Sequence, residues 1–261
     1  MSSPRNRKGR DALLLLTAAM DPGGMVYVLR MDPKERAKDY EWALRKWLKS
    51  KWAGSILLCE NTGADLTFLA KTARSEDGQR LTLHSFQGNS YPRHLGKGFG
   101  EMNIIREALS MLPGPLPGLV VKVSGRYYVR NLMQILRAVN RREPADLYCT
   151  MYGSPWVIGD SRLLIATPEF LQRFLIPLQD RINDSEMIHF EHAVAQAAIQ
   201  AMASGLKWAP LPYTPIVEGI SGTVNAPLKT KRASARYSVE LTLDFLGLGR
   251  YRPKVVDTLK L

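Results

Sequence analysis

Leu119-Val120-Val121-Lys122-Val123-Ser124-Gly125-Arg126-Tyr127 is a short apolar run that closes on a cation, a small polar pair and a second cation. A brief, nearly continuous Val/Leu stretch between turn residues reads as a strand buried on both faces of a sheet. Pro113-Gly114-Pro115-Leu116-Pro117-Gly118 stops whatever precedes it. This is the fourth strand-like segment from the N-terminus, and open α/β sheets bind ligands at the C-terminal ends of their strands. Lys122, Ser124 and Arg126 are therefore candidate anion-binding residues. Lys122 and Arg126 share a side only if the strand stays regular through Gly125.

Working outward, strand-like and helix-like periods alternate through the first half, which predicts an open α/β sheet. Residues 12–20 are a first strand. Arg5, Arg7, Lys8 and Arg10 before that apolar run have the outline of a secretory signal. The turn Asp21-Pro22-Gly23-Gly24 that follows at once favours a buried strand instead. Asp32-Pro33-Lys34-Glu35 supplies an N-cap, a first-turn Pro and a Glu at capping-box spacing, so a helix follows with Tyr40, Ala43, Leu44 and Trp47 on one face. Ser55 to Cys59 is a second strand, ending in the polar loop Glu60-Asn61-Thr62-Gly63, and Leu81 to Phe86 is a third. Lys97-Gly98-Phe99-Gly100-Glu101 then opens a helix. Gly98 and Gly100 permit close backbone approach, and a helix N-terminus offers unpaired N–H groups to an anion. The segment is neither a dinucleotide fingerprint nor a P-loop, and by itself a glycine-rich loop is only a turn.

Downstream, Leu132, Ile135, Leu136 and Val139 mark another helix, and Leu147 to Tyr152 is strand-like. Gly159-Asp160-Ser161-Arg162 is a polar turn embedded in apolar sequence, and Thr167-Pro168-Glu169 caps a further helix. A long helix runs from Ser185 to Ala203 with Asp184 as its cap. Glu191, in its first half, is a candidate general base on an acceptor hydroxyl, against the alternative of an ordinary helix-face Glu. His189 and His192 stand three apart, but no Cys or second His cluster completes a metal site, so none is expected.

After residue 207 the composition changes: Pro210, Pro212 and Pro215 precede Lys229, Lys231, Arg232, Arg236, Arg250, Arg252 and Lys254. The chain divides into residues 1–207 and a basic extension, 208–261, read as a tail or lid. Tyr237, Leu241, Leu243, Phe245, Leu246, Leu248 and Tyr251 lie between those cations, a pattern that fits salt-sensitive contact with an anionic membrane surface. It matches no nucleic-acid motif, and nucleic acid is not an expected partner.

With 261 residues, 45% hydrophobic and 23% charged, the chain is long enough for one large core. A net charge of +12 predicts affinity for polyanions without choosing among them. Cys59 and Cys149 lie in apolar runs at no metal spacing and read as buried thiols in a reducing compartment. No apolar stretch reaches the roughly 18 residues of a membrane span.

The series Arg30-x-Asp32, Arg36-x-x-Asp39-Tyr40, Glu60-Asn61-Thr62-Gly63, Lys97-Gly98-Phe99-Gly100-Glu101, Lys122-x-Ser124-Gly125-Arg126-Tyr127, Gly159-Asp160-Ser161-Arg162 and Phe190-Glu191-His192 resembles small bacterial glycosyltransferases of lipopolysaccharide O-antigen and capsule gene clusters. The match runs over about residues 12–200. The resemblance implies a GT-A-like open mixed sheet flanked by helices, and transfer of a sugar from a nucleoside-diphosphate sugar, a UDP-sugar first, to a lipid-linked surface glycan at the inner face of the cytoplasmic membrane. One branch of such enzymes transfers galactofuranose. Many nucleotide-sugar transferases carry an acidic Asp-x-Asp where this chain has Lys122-Val123-Ser124-Gly125-Arg126. Cations there would neutralise the departing diphosphate in place of a divalent ion, so metal-independent chemistry with no cofactor is expected. Glu60, Asn61, Lys97, Gly98, Gly100, Lys122, Ser124, Arg126 and Arg162 would bind the donor, with Asp160 and Glu191 catalytic. The alternatives are a nucleotidyltransferase, which normally needs carboxylates for Mg²⁺, and a non-catalytic basic nucleic-acid-binding protein.

Overall fold

In the computed structural model, which describes residues 11–112, 114–153 and 157–245, Ala12–Ala18 forms β1 at the centre of a sheet. The chain continues through α1 (Pro33–Leu48), β2 (Ile56–Glu60), the single turn α2 (Thr67–Ala70), β3 (Leu81–Ser85), α3 (Gly96–Ser110) and β4 (Leu119–Ser124). Next come β5 (Tyr128–Val129), α4 (Leu132–Arg141), β6 (Leu147–Tyr148), β7 (Met151–Tyr152), β8 (Ile158–Gly159), β9 (Leu163–Ala166) and α5 (Pro168–Phe170), which runs on as irregular helical turns to Arg181. The last elements are α6 (Phe190–Ala203), β10 (Trp208–Ala209), β11 (Val217–Glu218) and α7 (Thr230–Phe245).

Seven strands make one mixed sheet in the order β10-β6-β9-β4-β1-β2-β3. All neighbours are parallel except at β9, which is antiparallel to both β4 and β6. Because side chains alternate along a strand, the two faces build separate cores. Leu14, Leu16, Val121 and Val123 pack against Tyr40, Leu44 and Trp47 of α1 and Ile135 of α4. Leu13, Leu15 and Val120 face Met102 and Ile105 of α3 and Val194 and Ala198 of α6. Lys122 shares parity with Val120, so it points to the α3–α6 side, and this alternation decides its partners.

The first four strands lie within a residue or two of their sequence-based limits. Asp32 caps α1 by accepting from the Lys34 N–H at 2.8 Å, whereas Glu35 turns to Arg30 and Lys38 instead of closing a capping box. Residues 147–152 are two strands and not one. β6 stays in the main sheet, while β7 turns away to pair with β8. The helix expected from Ser185 starts only at Phe190, because the bridge Asn183–Ile188, the left-handed Met187 (φ 61°) and the extended His189 interrupt it. Asn183, not Asp184, caps the short turn there, accepting from the Ser185 N–H.

Pairing extends past residue 207: Trp208 and Ala209 join the sheet edge beside Leu147 and Tyr148, and Val217 and Glu218 pair with Val129 and Tyr128. α7 leans on this region through Tyr237, whose ring meets Tyr213 at 5.6 Å. Arg5, Arg7, Lys8 and Arg10, and Leu246, Leu248, Arg250, Tyr251, Arg252 and Lys254 at the other end, lie outside the described residues. Among the described residues no helix is long and apolar enough to cross a membrane.

Candidate functional site

A cavity of about 330 Å³ opens at the C-terminal ends of β1 and β4. Ten of the eleven residues singled out from sequence line it: Asn61, Lys97, Gly98, Gly100, Lys122, Ser124, Arg126, Asp160, Arg162 and Glu191. Glu60 does not. It is fully buried behind the wall, where its carboxylate accepts from the backbone N–H groups of Met20, Thr62 and Ala64 and from the hydroxyls of Thr62 and Ser85. That set of bonds shapes the loop that carries Asn61. The Asn61 amide donates to the Gly100 carbonyl at 3.3 Å, leaving its buried Oδ1 without a partner.

The cations of the cavity differ in how far their charge is already matched. Lys122 is 1% exposed; its Nζ pairs with Glu101, which also accepts from the Thr17 hydroxyl at 2.9 Å, and donates to the Ser161 carbonyl at 2.7 Å. Arg162 grips Asp160 through Nε and Nη2, and the Arg162 N–H adds a third bond at 3.0 Å. Burial pushes the Asp160 carboxyl up, but Arg162 outweighs it and holds the group below its ordinary value. Both pairs are close to neutral. Lys97 is different: its Nζ donates to Thr223 Oγ1 at 2.5 Å and has no carboxylate partner among the described residues. Arg126 lies 3.9 Å from Asp39, but that carboxylate is already held by Arg30 at 2.8 and 2.9 Å. Arg126 donates one bond, to the Ile220 carbonyl at 3.0 Å, and its Nε is buried without a partner. Positive charge in the cavity without a carboxylate of its own therefore sits on Lys97 and Arg126, and on Arg36, whose guanidinium is taken up by the carbonyls of Ala19 and Arg30 and by the Tyr40 hydroxyl.

The glycines act differently from a loop ahead of a helix. α3 starts at Gly96, so Gly98 and Gly100 lie inside its first turns. A Cβ on Gly98 would stand 2.8 Å from the Cβ of Phe190, and one on Gly100 would stand 2.2 Å from the Tyr91 hydroxyl. Their small size brings α3 against the start of α6 and against Tyr91, and so places Glu191. This residue occupies the first turn of α6, and its Oε1 accepts from the Ser161 hydroxyl at 2.6 Å. No cation pairs with it among the described residues. His192 Nδ1 accepts from the His189 N–H at 3.0 Å, so the two histidines cap α6.

Sequence reasoning assigned no role to Glu101 or Ser161, and read Asp184 only as a helix cap. Glu101 and Ser161 sit within the quoted motifs, but only the fold shows that they bridge residues distant in sequence. The end of β4 and the turn after it, where many nucleotide-sugar transferases carry an acidic motif, hold Lys122 and Arg126. Among the described residues no group of three His, Cys, Asp or Glu side chains stands close enough to hold a metal.

No family model and no curated protein matches the chain. Solved structures do. Mannosyltransferase PcManGT from Pyrobaculum calidifontis, in complex with GDP-Man and Mn²⁺, aligns over 95% of this chain and 68% of its own at 13% identity, with a TM-score of 0.50. A nucleotide-diphospho-sugar transferase from Desulfovibrio desulfuricans G20 aligns over 77% and 80% at 15% identity (TM-score 0.47), and the glycosyltransferase GlyE of Streptococcus pneumoniae TIGR4 over 95% and 66% at 11% (TM-score 0.48). The mixed sheet with its antiparallel β9, flanked by helices on both faces, is a GT-A-like α/β fold.

Proposed function

We propose that the protein is a glycosyltransferase that takes a sugar from a nucleoside-diphosphate sugar without a divalent ion. The observation that carries this reading is the convergence on one cavity of cations that still have a bond or a charge to offer, Lys97 and Arg126, and of one carboxylate, Glu191, that no cation pairs with among the described residues. Diphosphate departure needs positive charge where negative charge develops. An attacking hydroxyl needs a base within hydrogen-bond reach. In an inverting transfer the acceptor oxygen bonds to the anomeric carbon as the bond from that carbon to the diphosphate oxygen breaks. Glu191 Oε2 takes the hydroxyl proton, and the diphosphate leaves with the electron pair, held by Lys97 and Arg126 with Lys122 behind them. Asn61 and Ser124 stand ready as hydrogen-bond partners for the nucleotide, and Arg162 with Asp160 borders the sugar or acceptor.

The resemblance to O-antigen and capsule enzymes supports a lipid-linked bacterial glycan as acceptor, a UDP-sugar as donor, and galactofuranose as one sugar to test. The basic α7 and the strands before it support a segment, 208–261, that closes the cavity and meets an anionic leaflet from the cytoplasmic side. Thermal stabilisation against UDP, GDP and their sugar conjugates, with and without EDTA, tests the donor reading, since a ligand that binds the folded state raises its melting point. Stabilisation by a nucleotide sugar that survives EDTA is expected. No response to any of them, or one that needs Mn²⁺ or Mg²⁺, overturns the reading.

A further inference from the structure

Asp184 is 1% exposed and lines the cavity, yet only one of its carboxylate oxygens is used. Oδ1 lies 2.8 Å from His189 Nδ1 and accepts its hydrogen. Oδ2 is buried and has no partner. A buried carboxylate oxygen without a donor is costly, and native structures keep few of them. The surroundings show that the position is built. Gly96 has φ 79°, a conformation that disfavours side chains, and a Cβ there would fall 1.9 Å from Oδ2. The Tyr27 ring meets His189 edge-on at 6.0 Å, which holds the imidazole that holds Asp184.

The chemistry of Oδ2 selects its ligand. A carboxylate repels a phosphate, and among the described residues no companion acids make a cation site. What remains is a hydrogen-bond donor, and in a cavity that binds a glycosyl donor the available ones are hydroxyls. Asp184 lies in the turn closed by the Asn183–Ile188 bridge, and His189, Phe190 and Glu191 follow that turn directly, so Asp184 and the base line the same cavity. We infer that Asp184 Oδ2 accepts a hydrogen bond from a hydroxyl of the transferred sugar, making Asp184, oriented by His189, a determinant of sugar specificity. This rests on the donor reading above.

Asp184→Asn keeps the shape and replaces the acceptor oxygen with an amide donor. Binding of UDP and of UDP-galactose, and of GDP and GDP-mannose as a second pair, is measured by calorimetry on the full chain. The expected result is unchanged affinity for the nucleoside diphosphate and at least about tenfold weaker binding of its sugar conjugate, the scale of a hydrogen bond to a charged group. His189→Ala, which frees the carboxylate to rotate, moves the same quantity in the same direction and serves if the first variant fails to fold. Equal loss of both ligands makes Asp184 structural and overturns the inference. Unchanged binding of both, with a raised acceptor KM, assigns the oxygen to the acceptor and also overturns it. If the wild-type chain binds neither pair, the donor reading falls and the inference with it.

Discussion

Lys122 donates from Nζ to the carbonyl oxygen of Ser161 at 2.7 Å, across 39 positions of sequence. The hydroxyl of the same serine donates to Glu191 at 2.6 Å. Ser161 thus ties the cation at the end of β4 to the carboxylate at the start of α6, using its backbone for one and its side chain for the other.

Ser161→Ala removes only the second bond. It should lower kcat by about tenfold while leaving donor affinity and the Lys122 contact intact, with Thr restoring most of the rate; Glu191→Gln should cost about 10²–10⁴-fold, the range for a general base. Steady-state kinetics with separate donor titrations check this. If alanine at 161 raises donor KM and spares kcat, the serine serves the donor and not the base.

Arg126→Ala should weaken nucleoside-diphosphate binding by about 1.5–3 kcal/mol, the span for hydrogen bonds to charged groups. Lys97→Ala should act in the same direction by less, since its ammonium is exposed and screened. Calorimetry in EDTA measures both. Activity lost to EDTA and restored by Mn²⁺ would sink the cationic account.

Glu101→Gln strands the ammonium of Lys122, which is almost wholly buried. Removing one partner of a buried pair costs about 3 kcal/mol at the lower end of its usual range. A drop of that order in urea-unfolding stability is expected, and Glu101→Gln combined with Lys122→Met should recover much of it. A single variant as stable as wild type would show that the pair contributes little.

Burial, aided by Glu107 and Glu60 around Cys59, pushes the thiols of Cys59 and Cys149 from an ordinary 9.0 to about 12. Groups raised in the folded state lend stability below pH 9 and lose it as pH climbs toward 12, because the unfolded thiols ionise first. Neither cysteine should react with a thiol reagent at pH 8 until the chain unfolds. Stability should fall progressively above pH 9, and rapid native labelling of either thiol at pH 8 contradicts this.

Lys231 and Arg232 are exposed at the start of α7, away from the Tyr213–Tyr237 contact. Reversing both to Glu should reduce binding to vesicles containing anionic lipid by more than tenfold, at about 1 kcal/mol for each cation near the leaflet, with donor binding unchanged. Sedimentation with vesicles at two salt concentrations reads it. Equal binding by the variant moves membrane contact to another face.

The alternating apolar runs and their stops declared β1 to β4, α1 and the open sheet, because a strand buried on both faces must be apolar throughout and a proline or glycine ends it locally. The motif residues were legible for the same reason: Lys122, Asp160 and Glu191 are charges inside apolar sequence, which a solvated surface does not require. Side-chain direction was not legible. Glu60 looked like a loop carboxylate at a strand end, yet it turns inward because three backbone N–H groups converge on it. Gly98 and Gly100 looked like a phosphate loop but lie within a helix, where their smallness lets Phe190 and Tyr91 close in.

By itself, then, the sequence determined the layered α/β architecture and the set of polar residues gathered at the sheet's C-terminal edge, since both follow from local periodicity and from strand order. Only the tertiary structure decided which charges are matched. Glu101 neutralises Lys122, Asp160 neutralises Arg162, Asp39 is taken by Arg30, and Arg36 is taken up by the carbonyls of Ala19 and Arg30, which leaves Lys97, Arg126 and Glu191 with charge to offer a ligand. Glu101–Lys122 joins α3 to β4 and depends on parity along a strand, whereas Arg30–Asp39 joins the loop before α1 to α1 itself and Asp160–Arg162 lies within one turn. No local pattern encodes the Glu101–Lys122 contact, because its partners meet only once the core between the sheet and α3 has packed.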